Sequence, residues 1–296
     1  MKRRFKGTML GLIVGDALGA PFEGYPRSSV NFDGNMVGGG PHNIAAGQWT
    51  DDSSMALCLA ESLIKDGFDL KSQLAKYAKW YKDGYLSSKE HAFGIGRNTN
   101  ISITEFINNN KLPPERERAA GNGSIMRLAP IPMYFFNNLD KTKYFSAKSS
   151  KATHNNPMAV DACKFLGVFL YNAIAGKDKD YLLNKVYADL DLNPRVLKRV
   201  AGDYKEKSVS EINSDGFVLN TLEASLWTFY NTTSFEEAVT EAINLGGDTD
   251  TTAAVVGQMA GAYYGSNDIP KKWINRLAKK ELIMSLIRGL YQTKKN

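Results

Sequence analysis

Asn244-Leu-Gly-Gly-Asp-Thr-Asp-Thr-Thr-Ala-Ala254 sets two carboxylates, Asp248 and Asp250, two residues apart behind the pair Gly246-Gly247. Hydroxyls of Thr249, Thr251 and Thr252 stand beside them. Residues i and i+2 of a helix point away from each other, so the two acids converge only in a turn or a first helical turn. The glycine pair permits such a turn. The small and apolar residues of Ala253–Tyr264 predict a tightly packed helix that follows it. Its N-terminus then carries the acids, where the macrodipole favours anions.

A second cluster of the same chemistry lies near the other end of the chain, at Gly47-Gln-Trp-Thr-Asp-Asp-Ser-Ser54. It also opens a helix, an apolar one through Met55, Leu57, Leu59, Leu63 and Ile64 to Gly67, with Thr50, Asp51 or Ser53 as its N-cap. Taken singly, each cluster reads equally well as helix capping. Taken together, four carboxylates in one site repel by roughly 3 kcal/mol per pair at ~6 Å and an effective dielectric near 20. A fold that gathers them needs cations. Carboxylate and hydroxyl oxygens, without Cys or His at ligand spacing, suit Mg²⁺ or Mn²⁺ rather than zinc.

The 296 residues, 43% of them hydrophobic, suffice for a large core. No linker or low-complexity run separates the two acidic clusters, so one domain over 1–296 is expected. The net charge of +6 is spread over Lys2–Lys6, Arg195–Lys207 and Lys271–Lys295, as in solvated faces. No nucleic-acid recognition motif accompanies it, and attraction of anionic substrates is the expected use. Cys58 and Cys163 sit in apolar helical patterns and read as buried free thiols. The apolar run Met9–Val14 is too short to span a membrane and carries no signal cleavage pattern, so a cytoplasmic protein is expected.

Phe5–Ala20 reads as a buried helix with Gly7, Gly11, Gly15 and Gly19 in one stripe, which allows close helix contact. Asp16, in so apolar a setting, requires a partner. Pro21 ends this helix and presents Glu23. Residues 24–49 form a long Gly-, Asn- and Pro-rich loop, either a lid over the Asp51 site or a surface excursion. Helices are predicted over Leu70–Asp83, Thr99–Asn109, a bent Ile125–Phe136, Met158–Ala175, Tyr181–Asp189, Pro194–Lys205, Thr221–Tyr230, Phe235–Asn244, Trp273–Leu277 and Leu282–Tyr291. No run of alternating strands is present. The predicted fold class is all-α, an orthogonal helical globule with a dinuclear metal site in loops at helix N-termini. Gly121-Asn122-Gly123-Ser124 is a glycine turn feeding a helix, which offers free backbone N–H groups to an anion. Thr153-His154-Asn155-Asn156-Pro157 opens the next helix, and His91 reads as a surface residue.

Thr50-Asp51-Asp52 and Gly247-Asp248-Thr249-Asp250-Thr251 resemble the metal signature of the ADP-ribosylglycohydrolases, the family of the dinitrogenase reductase-activating glycohydrolase. The resemblance extends, in order, to Gly11–Glu23, Gly121–Arg127 and Thr153–Pro157. It implies two Mg²⁺ or Mn²⁺ ions held by Thr50, Asp51, Asp52, Asp248, Asp250 and Thr251. Glu23 corresponds to an acidic residue that reaches over metals and substrate, which makes Glu23, Asp51 and Asp250 the catalytic candidates. Gly121, Asn122, Gly123 and Ser124 correspond to the loop that holds the pyrophosphate of ADP-ribose, and His154 to a residue near its adenosine half. Many members carry an aspartate near the position of Gly94, and this chain departs from them there.

The implied activity is metal-dependent hydrolysis of the N- or O-glycosidic bond joining ADP-ribose to a protein or small-molecule acceptor, with ADP-ribose as product. The resemblance leaves open whether the acceptor is arginine, serine, a nucleotide, acetyl-ADP-ribose or a polymer. The alternative is a catalytically weak ADP-ribose-binding or structural relative of the crystallin-like kind, against which the intact acidic motifs weigh.

Overall fold

Glycine at every fourth position lets two helices touch backbone to backbone, and that contact sets the frame of the molecule. The computed structural model describes residues 1–293. The chain runs through α1 (Lys2–Gly19), α2 (Asp51–Asp66), α3 (Leu70–Asp83), α4 (Arg97–Asn109), α5 (Pro130–Tyr134), α6 (Leu139–Ser150) and α7 (Pro157–Ala175). It continues through α8 (Lys179–Asn184), α9 (Pro194–Val200), α10 (Val218–Asn231), α11 (Phe235–Asn244), α12 (Thr249–Tyr264), α13 (Lys271–Arg276) and α14 (Lys280–Thr293). Among the described residues there is no strand, only the isolated bridges Gly39 to Ile44 and Gly121 to Phe217. The predicted all-α class holds. Lys294 and Lys295 of the C-terminal basic run lie outside the described residues.

Helices α1 and α12 pack antiparallel along the glycine stripe. A Cβ on Gly7 would stand 2.1 Å from the Gly261 carbonyl oxygen, one on Gly11 2.0 Å from that of Gly257, and one on Gly15 2.0 Å from that of Ala253. Glycine costs about 1 kcal/mol per helical position relative to alanine, and here close packing of two largely buried helices offsets it. The register places the C-terminus of α1 at the N-terminus of α12, where the Thr249 hydroxyl donates to the Gly19 carbonyl at 2.8 Å.

Asp16, one turn earlier on α1, finds its partner in α2. Its carboxylate accepts from the Thr50 amide and hydroxyl (3.0 and 2.9 Å) and from the Ser53 amide and hydroxyl (2.9 and 2.5 Å). Asp16 thus caps α2 from another helix, serving donors that helix geometry leaves unpaired. Of the three N-cap candidates named from sequence, Thr50 occupies the position, but its side chain makes no capping bond and Asp16 serves the free donors instead.

Several expected helix limits shift. The bent helix over Ile125–Phe136 reduces to the short α5, preceded by turns, because Pro130 brings no N–H and is tolerated only at a helix start. Helix α9 stops at Val200, since Gly202 turns left-handed at φ 117° before a short 3-10 turn at Asp203–Glu206. The segment expected over Tyr181–Asp189 is α8, which starts earlier from the Asp178 cap and is shorter. Helix α6 carries no apolar periodicity at all. Its inward face is Thr142, Ser146, Ser149 and Ser150, small hydroxyls that let α7 approach at Gly167. Helix α7 is long and apolar enough to cross a membrane, yet most of it is buried inside the fold. Cys58 and Cys163 are buried free thiols, as expected.

Candidate active site

Three backbone devices converge on one point. Helix α12 begins at Thr249, so Asp248 takes the N-cap position and Asp250 the first turn, the arrangement in which i and i+2 acids can share a site. Gly246 and Gly247, at φ 73° and 69°, make the turn before it, a conformation that side chains rarely adopt. The amide of Gly247 donates to the Tyr25 carbonyl and the amide of Gly24 to the Gly247 carbonyl, both at 2.8 Å, which ties the segment after Glu23 to the segment before Asp248. The Arg27 guanidinium clips the same junction to the carbonyls of Leu245, Val209 and Ile212.

The result is a cavity of about 260 Å³. Asp51 and Asp52 from α2, Asp248, Asp250 and Thr251 from α12, and Glu23 from the end of the first helical segment line one side. Gly121, Asn122, Gly123 and His154 line another, with Gly94, Gly96, Arg97, Asn98 and Thr99 at the start of α4 and Gly216 beyond them. The two acidic clusters, some 200 residues apart in sequence, do meet: the Thr50 hydroxyl lies 3.3 Å from Asp250 Oδ2 and 3.2 Å from Asp52 Oδ2.

The electrostatics of this wall are unfavourable for carboxylates alone. Asp51, Asp52 and Asp250 are all nearly inaccessible to solvent. Burial first, and then repulsion from one another and from Asp16, Asp248 and Glu23, raises all three well above the usual carboxylate range. Burial pushes Asp16 up to about 6, against the hydrogen bonds from Ser53 and Thr50. Thr50, with three carboxylate oxygens within 3.3 Å, has one proton to give. Asp52 Oδ1 is buried without any partner. An unpaired buried carboxylate oxygen is costly, and a hard cation bound here would supply the missing charge. Among the described residues, no three His, Cys, Asp or Glu side chains already stand together in a geometry that could hold a metal ion.

The glycine loop departs from expectation in two places. The Asn122 amide is already spent on the Gly216 carbonyl at 3.1 Å, and its side chain instead donates to Asp248 Oδ2 at 2.7 Å and to Thr221. Ser124 does not line the cavity; its hydroxyl receives a hydrogen bond from Ser150 in the core. Gly121 and Gly123 remain as cavity-facing backbone, and a Cβ on Gly123 would stand 2.7 Å from the His154 ring. His154 itself is 3% exposed and, through burial and the nearby Arg127, pushed down to about 3, so it is a neutral imidazole.

The sequence profile of the ADP-ribosylglycohydrolase family matches residues 1–296. The chain belongs to the ADP-ribosylglycohydrolase family. It is 40% identical over 292 residues to an ADP-ribosylarginine hydrolase of Serratia proteamaculans, covering 97% of this chain and 78% of that protein. Identity is 29% over 289 residues to the ADP-ribosyl-dinitrogen reductase glycohydrolase of Rhodospirillum rubrum, covering 94% and 91%. A solved chain from an ADP-ribosylglycohydrolase-related protein complex superposes with a TM-score of 0.88 at 38% identity, covering 99% of this chain and 98% of that one.

As an ADP-ribosylglycohydrolase, the protein has features that its motifs alone did not reveal. Gly94 adopts φ 79°, and a Cβ there would stand 2.6 Å from Asp51 Oδ1, so a side chain at this position would displace a cluster carboxylate. His42, from the long loop, reaches Glu23 with Nε2 2.5 Å from Oε2, and that hydrogen bond raises the imidazole's pKa. Its only sequence signal was its place in a loop of unusual length. Lys89 fixes this loop by donating to the His42 and Asn43 carbonyls, and the His42 and Phe93 rings lie 5.5 Å apart. These contacts tie the loop to Glu23 and to the segment before Gly94.

Proposed function

We propose that this glycohydrolase removes ADP-ribose from a modified acceptor by hydrolysing the N- or O-glycosidic bond at ribose C1, with two Mg²⁺ or Mn²⁺ ions as cofactors. The observation that carries this reading is the convergence of carboxylates from two helix N-termini on a cavity whose other wall presents glycine backbone and a neutral histidine. Asp51, Asp52, Asp248, Asp250 and Thr251, with Thr50 behind them, would hold the ions. Bound metal there supplies positive charge that orients sugar hydroxyls and lowers the pKa of water.

The chain's own residues supply the remainder. Glu23 is roughly one-third exposed at the cavity edge and bonded to His42, so it is the least confined of the carboxylates. It accepts the proton of the attacking water, a role worth typically 10² to 10⁴ in rate. Water oxygen bonds to C1 as the bond to the acceptor breaks through an oxocarbenium-like state, and the departing nitrogen or oxygen takes up, from Glu23 or through bulk water, the proton that the attacking water has lost. The Gly121 and Gly123 backbone receives the pyrophosphate, and His154 donates to a ligand oxygen.

The arginine linkage heads the candidates for the acceptor, because the Serratia relative at 40% identity is an ADP-ribosylarginine hydrolase. A panel of defined substrates linked through arginine, serine, acetyl and polymer bonds tests this. Release of ADP-ribose from at least one of them with Mg²⁺ present is expected. Tight binding of ADP-ribose with no turnover of any would favour the non-catalytic alternative instead.

A further inference from the structure

Arg127 is 1% exposed and, among the described residues, makes no ion pair with a carboxylate. A charge buried without an ion-pair partner is costly, and the Nε of this guanidinium has no hydrogen-bond partner among the described residues. It lies over the Tyr77 ring at 4.7 Å and contacts Met55 Sδ at 3.7 Å. Its one strong bond runs from Nη2 to Thr153 Oγ1 at 2.7 Å. Thr153 Oγ1 in turn lies 2.8 Å from His154 Nδ1, and Thr153 is itself buried.

The direction of this chain follows from donor counting. Arginine has donors only, so Thr153 Oγ1 must accept from it. The threonine proton is then left for His154 Nδ1. In the reverse arrangement, Nδ1–H would donate to Oγ1 and leave the threonine proton with no acceptor in a buried site, which native structures avoid. Nδ1 is therefore an acceptor, and in a neutral imidazole the proton resides on Nε2. Nε2 is the atom on the cavity side: it lies near Gly121 and Gly123, where added Cβ atoms would each approach it at 3.2 Å.

We propose that Arg127 and Thr153 are positioning residues that lock His154 as the Nε2–H tautomer, so that this wall presents a neutral hydrogen-bond donor to an oxygen acceptor of the substrate. The functional part rests on the reading of the cavity as an ADP-ribose site. With the opposite tautomer, a lone pair would face the ligand oxygen and the contact would turn from attractive to repulsive. A neutral donor also leaves the charge of this wall unchanged over the working pH range.

Nitrogen-15 NMR of the imidazole rings reads the tautomer directly in the unmodified protein. With three histidines in the chain, the His154→Gln spectrum assigns the signal. The expected result is an unprotonated Nδ1 and a protonated Nε2 that do not titrate between pH 5 and 8; a protonated Nδ1 overturns the lock. Thr153→Val removes the hydroxyl at nearly constant shape, and Thr153→Ser restores it. Calorimetry with ADP-ribose is expected to show roughly tenfold weaker binding for the valine variant, about the worth of one hydrogen bond, and near-parental binding for the serine variant. Equal binding by parent and valine variant overturns the role in recognition. Failure of the parent to bind ADP-ribose would instead count against the proposed function and leave the NMR result standing.

Discussion

Asp52 Oδ1, buried and unpartnered, marks the strain that the acidic wall stores at the residue scale. Because burial and mutual repulsion raise Asp51, Asp52 and Asp250, neutralising one of them should relieve the metal-free fold. Asp250→Asn is therefore expected to raise the Tm of chelated protein, while losing both the further rise that Mg²⁺ gives the parent and the activity. Thermal melts with and without Mg²⁺ check this; an Asp250→Asn Tm below the parent's in chelator would contradict the repulsion argument. Glu23→Gln keeps shape and removes basicity, so kcat should fall by about 10² to 10⁴ with ADP-ribose affinity nearly unchanged. Unchanged kcat on a substrate whose chemistry is rate-limiting would reduce Glu23 to a surface group that covers a helix end.

At the scale of elements, α1 and α12 are one device. Their glycine contact fixes Asp250 beside Gly19, so the site depends on a packing interface that begins near Gly7, well away from it. Gly11→Ala sets a Cβ 2.0 Å from a backbone oxygen that cannot rotate away. Overpacking of this kind costs typically 1–3 kcal/mol, occasionally more; calorimetric melting should show at least that loss, with activity falling in the surviving folded fraction because α12 is displaced. A variant with parental Tm would mean that the helices can separate freely. The stripe was legible in the sequence because glycine spacing has few other meanings in an apolar helix. Helix α6 was not, since Thr142, Ser146 and Ser149 bury hydroxyls where a pattern search looks for Leu and Val. The same limit explains the site: the acids could be read as candidates, whereas Asp16 as a cap supplied by another helix, the spent Asn122 amide and the His42 contact with Glu23 arise only when distant segments meet.

For the whole molecule, buried ionisable groups shape the response to pH. His154 has an ordinary value of 6.5 and is held at about 3 in the fold, so between these values the unfolded chain binds a proton that the folded chain refuses. Its contribution is fully present above pH 6.5 and is lost progressively as pH falls toward 3. The His154→Gln variant should show a shallower loss of Tm over that window than the parent, and an identical slope would mean that His154 is not buried as a neutral ring. The central claim is that the two acidic helix N-termini make one metal-dependent site for cleavage of ADP-ribose. The most direct test is the rate of ADP-ribose release from ADP-ribosylarginine by chelator-treated protein, titrated back with Mg²⁺ or Mn²⁺. No release is expected in chelator, with recovery on adding either ion in the parent but not in Asp250→Asn. Full release in chelator would contradict the claim.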